Sequence, residues 1–154
     1  MRVGARRGLQ AAAAFVAMEP VAYAAHRWVM HGPGIGWHES HHRPRSGPFE
    51  RNDLYPVTFG ALTFAAMAVG AAEPRARALL AVGAGITAYG AAYALVHDGL
   101  VHRRIPGVHQ VSRRWPTAAR VARAHRRHHV DRAEPYGMLV PLGAAWREAA
   151  SPCA

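Results

Sequence analysis

The chain of 154 residues has the length of one domain and carries 19 basic residues against nine acidic ones, for a net charge of +10. Its single cysteine excludes a disulfide, an iron–sulfur cluster and a cysteine-ligated zinc site built within one chain. Eleven histidines accompany the positive charge. Three classes of protein fit this composition: a nucleic-acid binder, a membrane protein with a basic face, and a metalloprotein.

The first apolar segment, residues 8–30, is long enough to cross a bilayer but contains Glu19, Pro20 and Arg27. A cleaved signal peptide is the competing interpretation of residues 1–25, and we reject it because Glu19 and Pro20 interrupt the apolar run. A charge inside a membrane segment is costly and indicates function. We therefore predict that Glu19 is a catalytic-site residue that accepts a hydrogen bond from a ligand imidazole or lines a substrate channel. The alternative is a carboxylate satisfied by a neighbouring helix.

Two further segments, residues 54–72 and 78–96, contain no charged residue over 19 positions each. A helix needs about 20 apolar residues to cross a membrane, and only the polar turn 73–77 separates the two segments. The pattern predicts a transmembrane hairpin, whose many Ala, Gly and Thr residues suit close helix packing in lipid. The alternative is a buried hairpin of a soluble protein.

If all three segments cross the membrane, the loop 31–53 and the chain from residue 103 onward lie on the same side. Most of the arginines fall in these two regions, so the positive-inside rule places them on the cytoplasmic side of the cell membrane. This topology explains much of the net charge, and we therefore expect no nucleic-acid partner. The sequence predicts an all-α, integral membrane helical bundle of about three to four membrane-embedded helices, a single domain over residues 1–154.

Ten of the eleven histidines form a doubled pattern along the chain. The motif HxxxxH followed by HxxHH occurs in residues 26–42 and again in residues 97–129, and only His109 lies outside it. The ten candidate metal ligands are His26, His31, His38, His41, His42, His97, His102, His125, His128 and His129. Four motifs in repeated order predict a histidine-rich metal site.

The spacing of the histidines predicts which rings share a face. On an α-helix the three rings of HxxHH converge, whereas the two rings of HxxxxH are about 140° apart and can flank one metal only near a helix end. We expect the four motifs to meet at the cytoplasmic ends of the membrane segments. Ten imidazoles exceed the roughly four to six positions of one ion, which leaves two metals, or one metal with further histidines behind its ligands. Imidazole binds Fe, Zn, Cu and Ni, so histidine alone does not select the metal.

Polar side chains next to the motifs have more than one interpretation. Asp98 precedes His102 by four residues, and we predict it as a second catalytic-site residue that orients this ring. A solvated acid at a helix end is the alternative for Asp98. Asn52 and Asp53 precede the second apolar segment, where helix N-capping is the preferred interpretation.

A final helix is predicted to begin near Pro116, with Thr117 as a candidate cap. On this helix the histidines of the second HxxHH motif point one way and four arginines point roughly the opposite way. One face is predicted to complete the metal site, and the other to contact water, lipid headgroups or an electron donor. We place residues 134–150 at the membrane surface, because this apolar stretch is too short to span.

The stretches HRWVMH…GWHESHHRPRSGPFERNDLYPV and AYGAAYALVHDGLVHRR resemble the bacterial β-carotene hydroxylase family, within the membrane fatty-acid hydroxylase and sterol desaturase superfamily. The resemblance covers residues 15–130, with a poorer match in the spacer 103–123. It implies a β-carotene 3-hydroxylase, a non-haem di-iron monooxygenase that uses two Fe ions, O2 and electrons from ferredoxin. The implied reaction takes β-carotene through cryptoxanthin to zeaxanthin. The implied partners are a lipid-soluble carotenoid, a ferredoxin-type donor and membrane lipid.

Two alternative functions remain open on the sequence. A fatty-acid or sterol hydroxylase or desaturase of the same superfamily has the same kind of metal site. A non-enzymatic membrane metal-binding protein also clusters histidines.

Overall fold

Three long helices form the body of the protein in the computed structural model, which describes residues 3–45 and 47–140. Helix α1 spans Val3–Ala24, helix α3 spans Leu54–Ala72 and helix α4 spans Ala78–Tyr93. Helices α1 and α3 both pack along α4, which therefore lies between them. The described residues contain no β-strand, so the predicted all-helical fold is confirmed for this part of the chain.

The predicted hairpin of α3 and α4 is confirmed at its turn. A short 3₁₀ turn, Pro74–Ala76, joins the two helices. The Glu73 side chain caps this turn by accepting a hydrogen bond from the backbone N–H of Arg75 at 3.3 Å. The chain therefore reverses direction within a few polar residues, and the two apolar helices run side by side.

The hairpin helices are long and apolar enough to cross a membrane. The two candidate spans are Arg51–Ala72 and Ala78–Val101, and only 17% and 22% of their most apolar stretches are buried inside the protein. A core helix of a soluble protein is mostly buried, so this exposure favours lipid contact over a buried soluble hairpin. The side chains of Leu62 and Phe64, for example, are 66% and 76% exposed.

Helix α1 is not among the candidate spans, and Gln10, Glu19 and Pro20 interrupt its apolar run. Two candidate spans therefore stand among the described residues, where the sequence predicted three to four membrane-embedded helices.

Small residues allow α1 to approach α4 closely. A Cβ atom at Gly85 in α4 would collide with the backbone carbonyl of Ala11 in α1. Ala81, Gly83 and Gly85 are all buried on α4. This close contact fixes the position of α1 although its outer surface is exposed.

Helices α1 and α4 both continue into π-helical turns, Ala25–Met30 and Ala94–Val101. In these turns the backbone N–H of His31 donates to the carbonyl of His26 at 3.1 Å, and that of His102 donates to the carbonyl of His97 at 3.0 Å. A π-helix pairs residues five apart, which is the spacing of HxxxxH. The bend expected at each helix end is thus a π-helical turn, and it brings the two rings of each motif to one side of the chain.

The two HxxHH motifs lie on short helical elements. The first occupies the end of α2, Ile35–His38, and the 3₁₀ turn Glu39–His42, and the second lies in α5, Pro116–Asp131. Further 3₁₀ turns, Arg51–Asp53 and Val108–Arg113, precede α3 and α5.

Helix α5 matches the two predicted faces only in part, because Arg123, Arg126 and Arg127 are exposed while Arg120 is half-buried. His125 and His128 are buried, while the two arginines between them are exposed. Pro116 occupies the first position of the helix, as expected. Thr117 is not its cap, because the N-cap residue is Trp115 and makes no side-chain capping bond.

Candidate metal centre

The four histidine motifs meet beside the ends of α1 and α4, where their rings form two clusters. Within each cluster, every histidine has one ring nitrogen that lies within 4.8 Å of a ring nitrogen of each other member. Cluster A contains His26, His31, His38, His42 and His128, and cluster B contains His41, His97, His102 and His125. The predicted convergence of the motifs is confirmed, and two separate clusters favour two metals over one.

The tenth histidine of the pattern, His129, lies against cluster B. Its ring centroid is 4.7 Å from those of His41 and His102 and 5.0 Å from that of His125, and it also stacks on His42 of cluster A at 4.6 Å. The Nε2 atoms of His102, His125 and His129 are buried and have no hydrogen-bond partner among the described residues. Such orphaned nitrogens are rare unless a group outside the protein satisfies them. Because the rings of His41, His102 and His125 all lie within 5.0 Å of His129, we assign it to cluster B.

Each HxxHH motif divides its rings between the two clusters, so the expectation that all three converge is wrong. The first motif contributes His38 and His42 to cluster A and His41 to cluster B, and the second contributes His125 and His129 to cluster B and His128 to cluster A. Adjacent residues on a helix are about 100° apart, so the two neighbouring histidines of a motif cannot face one ion. The first and last rings stay together, and the middle ring crosses to the other cluster.

The Nε2 atoms inside the clusters face one another at short range. The distance is 3.1 Å for His26 and His38, 3.1 Å for His31 and His128, and 3.0 Å for His41 and His97. Neighbouring ligand nitrogens around a metal ion bound at about 2.1 Å are about 3 Å apart. The donor set therefore fits one metal ion in each cluster.

Backbone carbonyls hold the opposite side of two rings. Nδ1 of His26 lies 3.0 Å from the carbonyl oxygen of Tyr136, and Nδ1 of His128 lies 2.6 Å from that of Ala133. A carbonyl oxygen only accepts, so Nδ1 carries the proton and Nε2 keeps its lone pair. The segment that follows α5 thus aims two rings of cluster A at their common centre.

Asp98 orients a cluster B ring, but not the predicted one. Its carboxylate accepts a hydrogen bond from Nδ1 of His97 at 2.9 Å. The prediction paired Asp98 with His102 on the assumption of an α-helix, in which residues four apart are neighbours. In the π-helical turn residues five apart are neighbours instead, which explains why Asp98 contacts His97 and not His102.

Two further orienting side chains were missed by the sequence interpretation. Glu50 accepts a hydrogen bond from Nδ1 of His41 at 2.9 Å, and the buried Asn52 accepts one through Oδ1 from Nδ1 of His38 at 2.8 Å. Helix capping is therefore the wrong interpretation of Asn52. For Asp53 it holds only in part: Asp53 is the N-cap residue of α3 but makes no side-chain capping bond there. Its carboxylate instead forms a reciprocal capping box with Glu50 on the preceding 3₁₀ turn, Arg51–Asp53. The available signal for Glu50 and Asn52 was their position in the linker between the first HxxHH motif and α3, because this linker must run beside the site.

Burial keeps His38, His128 and His129 neutral, as metal ligation requires. Removal from solvent is the main cause that lowers the pKa of His38 to about 3, of His129 to about 3 and of His128 to about 4. Neighbouring imidazoles lower each of these pKa values further. The unprotonated rings therefore present Nε2 lone pairs at neutral pH.

Glu19 lies outside both clusters and binds the chain that follows α5. Its carboxylate accepts a hydrogen bond from the Tyr89 hydroxyl at 2.7 Å. It also accepts bonds from three successive backbone N–H groups, those of Met138 at 3.0 Å, Leu139 at 3.1 Å and Val140 at 3.1 Å. The contact with Tyr89 matches the alternative of a carboxylate satisfied by a neighbouring helix. Of the predicted surface segment, the part beyond residue 140 lies outside the described residues.

An apolar cavity of about 580 Å³ lies among α1, α3 and α4. Its lining includes Phe59, Phe64 and Met67 of α3 and Ile86 and Tyr93 of α4. Asp98 lines it next to cluster B, and Met138, from the segment that Glu19 binds, lines it too. The cavity thus connects apolar helix surfaces to the orienting shell of the histidines.

A second cavity, of about 470 Å³, is polar and reaches both clusters. We call it the arginine cleft, because Arg43, Arg45, Arg103, Arg104 and Arg126 line it together with Glu50, Val101, His41, His42, His102 and His129.

Removing the side chain of Asn52 is expected to loosen His38. In an Asn52→Ala variant the buried Nδ1–H of His38 loses its acceptor, and loss of such a partner typically weakens metal binding by about 10- to 100-fold. An Asn52→Asp variant keeps an acceptor oxygen and should bind metal almost as the parent does. Metal affinity measured by competition with a chelator checks both; equal loss in the two variants would contradict an orienting role for Asn52.

Comparisons with known proteins agree with this site. The sequence matches the profile of the fatty acid hydroxylase family over residues 11–144. It is 50% identical to a beta-carotene hydroxylase of Pseudescherichia vulneris over 76% of this chain and 64% of the relative. It is 47% identical to a beta-carotene hydroxylase of Pantoea ananas over 76% of this chain and 65% of the relative. A chloroplastic beta-carotene 3-hydroxylase 1 of Arabidopsis thaliana is 40% identical over 82% of this chain and 42% of the relative.

The matched region is thus slightly less than two thirds of the length of these two bacterial relatives. No solved structure matches the chain. The profile match extends from α1 past the last histidine motif, so it includes both clusters. The chain therefore belongs to the fatty acid hydroxylase family, in the branch that includes the beta-carotene hydroxylases.

Proposed function

We propose that the protein is a β-carotene 3-hydroxylase that adds hydroxyl groups to β-ionone rings. One observation carries this proposal: two buried histidine clusters lie beside an apolar cavity that opens among exposed apolar helices. The names of the relatives supply the substrate class. In the reaction one oxygen atom of O2 is inserted into a ring C–H bond to give a hydroxyl group, and the other leaves as water, with two electrons and two protons consumed.

The cofactor in this proposal is a pair of non-haem iron ions, one in each cluster. Bound iron with O2 supplies the oxidant that an unactivated ring C–H bond requires, which amino-acid side chains cannot supply. The histidines hold the ions as neutral nitrogen donors. Asp98, Glu50 and Asn52 keep His97, His41 and His38 in their orientations. Ferredoxin is the proposed source of electrons.

The same geometry supports a membrane position in this proposal. We place α3 and α4 across the cell membrane and α1 within it as a third embedded helix, with the histidine clusters on the cytoplasmic side. A carotenoid dissolves only in lipid, and the apolar cavity offers its ring a path from the bilayer to Asp98. The described cavity walls are mostly apolar, which excludes water from the approach.

A fatty-acid or sterol hydroxylase or desaturase would use the same clusters, and the family description favours it as the second candidate. Expression in bacteria that accumulate β-carotene separates the two. We expect the parent chain to convert β-carotene to cryptoxanthin and zeaxanthin, and a His41→Ala variant to leave it unchanged. Hydroxylated or desaturated acyl chains with unaltered β-carotene would favour the second candidate and contradict the first.

The matched control for this experiment is His109→Ala. His109 is the one histidine outside the doubled pattern and outside both clusters. The same chemical change at His109 should therefore leave the pigment conversion intact. If the His109 variant also loses conversion, the loss in the His41 variant cannot be assigned to the clusters.

Glu19 is proposed as a positioning residue for the cavity wall. In a Glu19→Ala variant three backbone N–H groups and the Tyr89 hydroxyl lose their acceptor, so Met138 is no longer held against the cavity. Hydrogen bonds to a charged group are each worth about 1.5–3 kcal/mol, so we expect KM for the carotenoid to rise about tenfold or more. The iron content should not change, because Glu19 lies outside both clusters. Steady-state kinetics and metal analysis check this; Glu19→Gln, which keeps one acceptor oxygen, should recover part of the loss.

A further inference from the structure

We propose that the arginine cleft is the docking surface for an acidic electron-donor protein, with Arg103 and Arg126 as its main contacts. This inference rests on the proposed hydroxylase function, which consumes two electrons for each hydroxyl group. It adds the place at which those electrons enter and the residues that recognise their carrier.

The position of the cleft is the first argument. Its lining includes His41, His102 and His129 of cluster B and His42 of cluster A, so it reaches both metal sites. The apolar cavity reaches the same region from among the membrane helices. Of these two cavities, the cleft is the polar one, and a water-soluble donor can approach the clusters through it.

The charge of the cleft is the second argument. Five arginines line it against a single carboxylate, Glu50. Arg104 is held by Asp53 at 2.6 Å and Arg43 by Glu39 at 3.3 Å. Within the described part of the chain no ion pair involves the other three arginines, Arg45, Arg103 and Arg126. Within the described residues the cleft therefore carries an excess of positive charge.

Arg103 and Arg126 place like charges close together. Both side chains are exposed, and each directly follows a cluster B histidine. Both guanidinium groups line the same cleft, so their like charges repel one another. A carboxylate bound between them would relieve this repulsion.

The backbone at Arg103 supports a binding role. Its φ of 55° lies in the left-handed region, which residues with a Cβ adopt at a cost of about 1 kcal/mol or more. Glycine would adopt it without this cost. The strained residue follows His102 directly and lines the cleft, so this position is consistent with a binding role.

A protein fits the cleft better than a lipid headgroup. Lipid phosphates line the whole membrane surface and call for basic residues spread around the helices. The unpaired arginines here converge instead on one concave site beside the clusters, where electrons must arrive. Acidic side chains around the redox centre of a donor would be complementary to this site and would guide its association.

Binding of a ferredoxin tests the inference directly. The full chain, loaded with iron, is placed in phosphatidylcholine nanodiscs, and the Kd of an acidic plant-type [2Fe–2S] ferredoxin is measured without carotenoid. The double variant Arg103→Glu/Arg126→Glu is expected to raise Kd at least about tenfold, and added salt should weaken binding of the parent far more than that of the variant. Equal affinities of parent and variant overturn the inference.

The matched control is Arg75→Glu/Arg77→Glu, which makes the same charge change in the turn between α3 and α4. This turn lies at the opposite end of a 19-residue helix, about 28 Å from the cleft. The Kd of this control variant for ferredoxin should stay within about twofold of the parent value. If both double variants lose binding equally, net charge and not the cleft is responsible, and the inference fails.

Further measurements separate docking from damage to the clusters. Iron content is determined for each variant. Arg45→Glu serves as a second test, because Arg45 is not adjacent to any cluster histidine. This variant should keep its full iron content and still show a raised Kd for ferredoxin. If the Arg103→Glu/Arg126→Glu variant loses ferredoxin binding only in discs that contain phosphatidylglycerol, the cleft binds headgroup phosphate. That result overturns the inference. Because no carotenoid is present, these results do not depend on which substrate the protein hydroxylates.

Discussion

A His42→Ala/His128→Ala variant is expected to lose about half of its iron and all hydroxylation activity, while the remaining iron leaves to a chelator at the parental rate. The two residues are far apart in sequence but belong to the same cluster, so cluster B stays complete. A His41→Ala/His42→Ala variant removes two sequence neighbours that belong to different clusters. Both ions should then leave faster than in the parent, because metal affinity falls when a ligand is removed from either site.

Metal analysis combined with the time course of chelation checks this difference. His128→Ala/His129→Ala provides the second comparison and should behave like His41→Ala/His42→Ala. If each HxxHH motif built its own site, both neighbour variants would spare one ion, and only the His42/His128 variant would affect both. That outcome would contradict the crossing of the middle histidines.

Filling the apolar cavity is expected to abolish most carotenoid hydroxylation without removing iron. Gly60 of α3 and Gly90 of α4 both line the cavity, and a Cβ added at either position meets no atom within 4 Å. A Gly60→Phe/Gly90→Phe variant therefore projects two rings into open space. Displacing a substrate by about 1 Å can cost about 100-fold in rate, so we expect a loss of at least that size.

The control for this variant is Gly8→Phe in α1. A Cβ at Gly8 also meets no atom within 4 Å, but Gly8 does not line the cavity. Phenylalanine has a higher helix propensity than glycine at all three positions, so none of the changes weakens its helix. Carotenoid turnover and iron content are measured together; normal turnover in the cavity variant would show that the ring enters by another route.

The histidine pattern predicted the convergence of ten rings because spacing and helix geometry are local properties. It did not predict their division between clusters. Whether His41 joins His38 or crosses to His97 depends on where the second copy of the pattern lies in space, and that position is set by the packing of α1 along α4. The π-helical turns after α1 and α4 were foreseen only as a need for a bend, since HxxxxH cannot share a face on an α-helix.

The polar partners of the rings were harder to predict than the rings. Asn52 and Glu50 hold histidines that are 14 and nine residues away, across an irregular linker without periodicity. Glu19 drew attention as a charge in an apolar helix, but its partners include backbone groups more than 100 residues later. Backbone donors leave no mark on the sequence, so this contact could not be read from residue types.

The most direct measurement of the central claim is the oxygen isotope content of the carotenoid product. Bacteria that accumulate β-carotene and express the chain are grown under ¹⁸O2 in ordinary water. Their pigments are separated, and the molecular masses are measured by mass spectrometry. A hydroxylase that acts at both rings yields zeaxanthin with two ¹⁸O atoms and cryptoxanthin with one. Unchanged β-carotene in cells that contain the iron-loaded protein, or hydroxyl groups that carry only water oxygen, would contradict it.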